Sequence, residues 1–227
     1  LKKIHSEYRD VSLFVRGSTN AEDLPKFSGA GLYDTVPNVM YKKQGDKAVL
    51  KAIKKVWGSD WNDAAVQARE NLGISGEGHL KVYSSILLQE GKMPDSAGVM
   101  ITTNPYKLQE KNVVYISATK GLGIKVVEGK SVPEQILYRR VSNAIMVLTR
   151  MEDDNILVFN SKGGVKEVFS KKGAEVLTEK RIRKLVKVAQ EIEQLFSREN
   201  NLLISQDIEW LMIADQIYIV QSRPFIE

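Results

Sequence analysis

A chain of 227 residues is long enough for one large domain or two small ones. With 43% hydrophobic and 27% charged residues and no cysteine, it has an ordinary globular composition that excludes disulfides, a thiol nucleophile and a thiolate metal site. Its net charge of +5 comes with acidic residues interspersed among the basic clusters and no stacking aromatics between them, which favours solvated faces over a nucleic-acid surface.

Taken in chain order, an apolar run over 11–15 reads as a strand that ends at Arg16. The segment Ser28-Gly29-Ala30-Gly31 then carries almost no side-chain bulk, and Thr35 follows it. Residues 47–57 and 62–71 read as helices. The turn-rich stretch Gly73–Gly78 is the best boundary, dividing the chain into 1–78 and 79–227. Strands are expected over 80–89, 97–103, 112–118, 135–141, 144–150, 155–160 and 165–169. Residues 178–196 form a helix whose Ile182, Leu185, Ala189, Ile192 and Phe196 recur on one face. The chain closes with a hairpin over 202–213 and 216–220, around Ala214-Asp215. Strand runs followed by a helix and a hairpin indicate an α+β architecture of mostly antiparallel sheets with flanking helices.

That hairpin carries the chemistry. Side chains alternate along a strand, so Asp207 and Glu209 share one face, as do Gln221 and Arg223 further on. Two carboxylates suit Mg²⁺ completed by substrate phosphates, and a guanidinium fork suits phosphate oxygens. A solvated, charge-paired outer face is the plain alternative. At the other end, a loop as slight as 28–31 lets backbone N–H groups approach phosphate, although a Gly-x-Gly also marks ordinary turns. The exit of the 80–89 strand, Gln89-Glu90-Gly91, can offer backbone groups to a flat base edge or be a plain strand end.

Together these segments resemble the nucleotide-binding domain of the pyruvate phosphate dikinase and phosphoenolpyruvate synthase family, which includes rifampicin phosphotransferases and glucan water dikinases. The likeness rests on Val15-Arg16-x-Ser18 with Ala21-Glu22-Asp23-Leu24-Pro25, on Ser28-x-Ala30-Gly31 with Asp34-Thr35, and on Gln206-Asp207-Ile208-Glu209 with Gln221-x-Arg223-Pro224. Val56-Trp57-Gly58-Ser59 with Arg69, Ala97 to Pro105, and Gly121-Leu122-Gly123 keep the same order.

The resemblance implies an ATP-grasp-like fold and a phosphotransferase that uses Mg-ATP to phosphorylate a carrier histidine on a separate domain. It implies that Arg16 and Arg223 hold transferring phosphate. It gives Gly29, Ala30, Gly31 and Thr35 the polyphosphate, and Gln89, Glu90 and Gly91 the adenine. Glu209 and Gln221 would ligate Mg²⁺ with support from Asp207. ATP and the carrier-histidine domain are the expected partners, with no membrane and no nucleic acid. No apolar run approaches the ~18 residues of a membrane span, the N-terminus lacks the apolar core of a signal peptide, and cytoplasm is the expected location.

Neither His5 nor His79 lies in the family's carrier motif. Gly17, Asn104 and Ile124 depart from the family pattern, which favours as an alternative a degenerate, non-catalytic nucleotide-binding or regulatory module. A basic nucleic-acid-binding domain is the remoter alternative. The chain has no initiator Met and begins near the arginine strand, so a fragment lacking the N-terminal portion of the domain, and weak ATP binding by it alone, are expected.

Overall fold

The computed structural model describes residues 10–21, 23–24, 27–29, 31–200 and 202–225. The chain forms two compact units, one of Leu1–Lys92 with Phe159–Lys166 and the other of Met93–Val158 with Glu167–Glu227. The segment Gly73–Gly78 lies within the first of them.

In the first unit, β1 (Ser12–Thr19) is followed by the short strands β2 (Asp23–Leu24) and β3 (Phe27–Ser28), by β4 (Thr35–Met40), and by helices α1 (Tyr41–Ser59) and α2 (Asp63–Asn71). A 3₁₀ turn at Gly76–Lys81 leads to β5 (Ser84–Gly91). Strand β1 lies between β4 and β5, antiparallel to both. Its odd residues Leu13 and Val15 are fully buried against Val49, Ala52 and Val56 of α1. These helix positions are three and four residues apart and so form one stripe. Helix α1 is interrupted at Gly45, whose φ of 68° and ψ of −175° break the first turn from the rest.

Two sequence expectations are corrected here. Arg16 is in the middle of β1 rather than at a strand end, because pairing with β5 runs on through Gly17↔Ile86 and Thr19↔Ser84. Residues 80 and 81 are 3₁₀ turn, so β5 starts at Ser84 and extends to Gly91.

The second unit contains β6 (Ser96–Ile101), β7 (Val113–Lys120), α3 (Ile124–Val127), β8 (Glu134–Arg139), β9 (Ala144–Thr149), α4 (Glu179–Asn200), β12 (Gln206–Ile213) and β13 (Gln216–Pro224). Between β9 and α4 run the paired strands β10 (Asn155–Phe159) and β11 (Val165–Phe169), whose connecting tip belongs to the first unit. The remaining strands make a six-stranded antiparallel sheet in the order β13-β12-β6-β7-β8-β9.

Ile182, Leu185, Val186 and Ala189 of α4 join Met100, Ile116, Ile136, Ile208, Trp210 and Met212 in the main core. All six sheet residues have the same parity in the ladder, so one face of the sheet is apolar and packed. The opposite face is therefore where the other parity of β12 appears. Among the described residues, no helix is long and apolar enough to cross a membrane.

Candidate functional site

On that opposite face, Asp207 stands directly across from Arg223, and Glu209 across from Gln221. The facing of Asp207 and Glu209 follows from alternation, because Ile208 and Trp210 are pinned into the core. A bulge lies just beyond, where the step from Glu209 to Trp210 faces the step from Gln221 to Ile219. It re-aims β13, so that Gln221 and Arg223 meet the carboxylates while Ile217 packs on the core.

Arg223 donates from Nε and Nη2 to the same oxygen, Asp207 Oδ2, at 3.0 and 2.8 Å. Both side chains are about one-fifth exposed, at 18% for Asp207 and 19% for Arg223. The second oxygen, Asp207 Oδ1, is buried with no hydrogen-bond partner. A buried, unpaired carboxylate oxygen is costly unless something positive or hydrogen-bonding completes it. Among the described residues, no cluster of three or more acidic or histidine side chains could hold a metal alone. The donor set fits a hard divalent cation held through one or two carboxylates and completed by phosphate oxygens.

The ladder continues this face across the sheet. Glu209 is followed by Val99, Ser117 and Gln135, and Asp207 by Ile101, Tyr115 and Leu137. Tyr115 is buried, which pushes its phenol well above the ordinary value, and its hydroxyl is 3.3 Å from that of Tyr106. It is thus a protonated hydroxyl at any physiological pH. Ser117, Gln135 and Tyr115 were not singled out in the sequence; their strand parity relative to Glu209 is the signal that reveals them.

In the first unit, Arg16 shares a face with Phe14, opposite the α1-packed side. Its Nη1 donates to Gln89 Oε1 at 3.3 Å, one diagonal step along the ladder. Thr35 pairs with Arg16 across β4 and is exposed. Gln89 and Gly91 lie on this face, whereas Glu90 has the parity of Leu88 and forms an ion pair with Lys92 at 3.0 Å. Gly91 must lack a side chain: a Cβ there would approach the Phe14 ring to 2.7 Å.

The glycine loop is held from behind by the α1–α2 corner. Asn62, which caps α2 by accepting from Ala65 N at 2.7 Å, donates to Leu32 O at 2.8 Å. Ser59 Oγ accepts from Asp34 N at 2.9 Å. Leu32 N closes a turn on Gly29 O at 3.0 Å, and Gly31 takes a φ of 78° that suits glycine. Ala30 and His5 lie outside the described residues.

Of the departures, Asn104 has a local role and Gly17 has none that its packing requires. A Cβ at Gly17 would meet only ordinary contacts, the nearest at 3.7 Å, so the fold does not demand glycine there. Asn104 Oδ1 accepts from Tyr106 N and Lys107 N at 3.0 and 3.2 Å, closing the turn after β6. His79 accepts at Nδ1 from Arg69 Nε at 3.3 Å, on the 3₁₀ turn.

The whole chain, residues 1–227, matches the family model described as pyruvate phosphate dikinase, AMP/ATP-binding domain. It is 33% identical over 225 residues to a probable phosphoenolpyruvate synthase of Archaeoglobus fulgidus, covering 98% of this chain and 28% of that protein. It is also 33% identical over 214 residues to a rifampicin phosphotransferase of Bacillus subtilis, covering 92% of this chain and 23% of that protein. A phosphoenolpyruvate synthase of Pyrococcus furiosus is 31% identical over 226 residues, covering 95% of this chain and 26% of that protein. The chain thus spans about a quarter of the length of the curated relatives it matches. It belongs to the pyruvate phosphate dikinase AMP/ATP-binding domain family.

Proposed function

We propose that this chain is the ATP-binding part of a phosphotransferase that uses Mg-ATP to phosphorylate a carrier histidine on a separate domain. The observation that carries the reading is the Asp207–Arg223 and Glu209–Gln221 arrangement, two carboxylates, an amide and a guanidinium on one sheet face with a buried carboxylate oxygen left without a partner. Phosphoryl transfer asks a nucleotide site for positioning and charge neutralisation rather than covalent chemistry. An N–P bond forms at the acceptor imidazole as a bridging P–O bond of ATP breaks, and the developing charge goes to the leaving phosphate.

Arg16 and Arg223 hold phosphate oxygens in this reading. The planar guanidinium of Arg223 is aimed by its two bonds to Asp207. Glu209, Gln221 and Asp207 hold Mg²⁺, which neutralises polyphosphate charge. Gly29, Ala30, Gly31 and Thr35 contact the polyphosphate, and Gln89, Glu90 and Gly91 contact the base. In an ATP-grasp-like domain of this kind, the final acceptor is set elsewhere in the parent protein. Cytoplasm is the matching location.

The test is a calorimetric titration with ATP, with and without Mg²⁺, of the chain and of its Arg16→Ala and Glu209→Ala variants. Saturable, Mg²⁺-dependent binding that both variants weaken at least tenfold is the expected result. Unchanged affinity in both variants would remove the basis of the assignment.

A further inference from the structure

The register of β1 against β4 slips by one residue between Leu13↔Val39 and Val15↔Val36, so that Phe14 alone faces both Pro37 and Asn38. This bulge puts Asn38 into the left-handed region, at a φ of 53°, which asparagine tolerates better than most residues. Asn38 is only 1% exposed. Its amide nitrogen donates to two carbonyls of the β10–β11 tip, Asn160 O at 2.8 Å and Gly164 O at 2.6 Å. Its main-chain carbonyl accepts from Gly164 N at 3.0 Å. Both amide hydrogens are used, so no other side chain of this size can replace it. Nearby, Lys43 Nζ donates to Ser161 O at 2.8 Å. Gly163 takes a φ of 99° that suits glycine, and a Cβ there would lie 2.5 Å from the Gln44 side-chain amide, which would have to shift.

What this docking positions is Phe159. Its ring lies 6.0 Å from that of Phe14, tilted by 49°. Phe14 is on the Arg16 face, opposite Gln89, with its ring over the bare backbone of Gly91. Phe14 therefore lies at the strand end proposed to meet the base, with the Phe159 ring packed beside it. A flat heteroaromatic base gains from such rings by stacking. A polyphosphate has no π-face and gains nothing from them.

We propose that Asn38 is a positioning residue: it fixes the hairpin tip so that Phe159 and Phe14 form an aromatic wall against the base of a bound nucleotide. This rests on the nucleotide reading given above. It makes the wall a device for telling a nucleoside triphosphate from bare polyphosphate. Asn38→Gly keeps the left-handed backbone and removes both donors; Phe159→Ala removes the ring.

The test compares affinities for Mg-ATP and for Mg-tripolyphosphate. Each variant should weaken Mg-ATP about tenfold and leave Mg-tripolyphosphate within about twofold, and the double variant should be no worse than Phe159→Ala. A third variant, Phe159→Trp, should show emission quenched by ATP and not by tripolyphosphate, which answers the question if Asn38→Gly does not fold. Equal loss of both ligands, or unchanged ATP affinity in Phe159→Ala with no quenching in Phe159→Trp, overturns the wall while leaving the nucleotide reading intact. A wild-type chain that binds neither ligand overturns both.

Discussion

Arg223 places two donors on one oxygen of Asp207, at 3.0 and 2.8 Å, and leaves the other oxygen without a partner. The pair is lopsided: both donors fall on one oxygen, and the other keeps its lone pairs for a further partner. Asp207 can thus hold Arg223 in place and still offer a lone pair to a cation.

The first prediction follows from that asymmetry. Asp207→Asn keeps the shape but removes the charge that both Arg223 and a divalent cation need. Mg-ATP affinity should fall about tenfold, and the ratio of affinities with and without Mg²⁺ should shrink toward one. Parallel calorimetric titrations check this; an unchanged ratio would place the cation elsewhere.

A second prediction concerns packing behind the site. Trp210 is 1% exposed and has Gly98 as its neighbour in the ladder, with Ala118 beyond. A Cβ at Gly98 would lie 1.9 Å from Ser117 O, a backbone atom that cannot step aside. Gly98→Ala should destabilise the chain by about 2–3 kcal/mol, measurable by urea denaturation.

Arg140 and Glu193 form a two-point ion pair at 2.5 and 3.2 Å, and Arg140 also donates to Thr102 O at 2.7 Å. Glu193 is on α4, so the pair ties that helix to the ends of β6 and β8. Glu193→Ala leaves a largely buried guanidinium unpaired and should cost about 3–5 kcal/mol. The double change Arg140→Met, Glu193→Leu should cost far less than the sum of the singles, which a double-mutant cycle would show.

The turn of the terminal hairpin gives a fourth prediction. Ala214 and Asp215 both have positive φ, at 45° and 69°. Asparagine is suited to the first of these positions, and Ala214→Asn should stabilise by about 0.5–1 kcal/mol, raising Tm by about 1–4 °C. Asp215 is held below its ordinary value by the hydrogen bond from Arg181 Nε at 2.7 Å, with further help from the charges of Arg181, Lys184 and Lys180. A lowered carboxyl value means its contribution is present above the ordinary 3.8 and is lost as pH falls through the lowered value. Asp215→Asn should therefore trail the wild type in Tm at neutral pH and match it in strong acid.

Much of this was legible in the sequence, for physical reasons. The period of two along β12 put Asp207 and Glu209 on one face before any coordinates, but turn length alone would set Val220 and Ser222 opposite them, and it is the bulge between Glu209 and Trp210 that brings Gln221 and Arg223 there. The stripe on α4 gave away its buried side, with Ile182, Leu185 and Ala189 in the core. Less visible was anything set by partners distant in the chain. β1 runs on past Arg16 because β5 pairs with it, not because Gly17-Ser18-Thr19 favours a strand. Asn38 gave no signal, because its role depends on a bulge and on a hairpin tip more than 120 residues away.

The two-faced character of β12 has a consequence for how this chain can vary. A single residue inserted or deleted between Glu209 and Trp210, with Trp210 held in the core, would carry Ile208 onto the polar face and turn Asp207 and Glu209 toward the apolar core. Such a frame error fails at folding, before any loss of chemistry can be seen. The carboxylates are thus guarded by their apolar neighbours, and length changes should be tolerated only outside the hairpin, in loops such as that between β6 and β7.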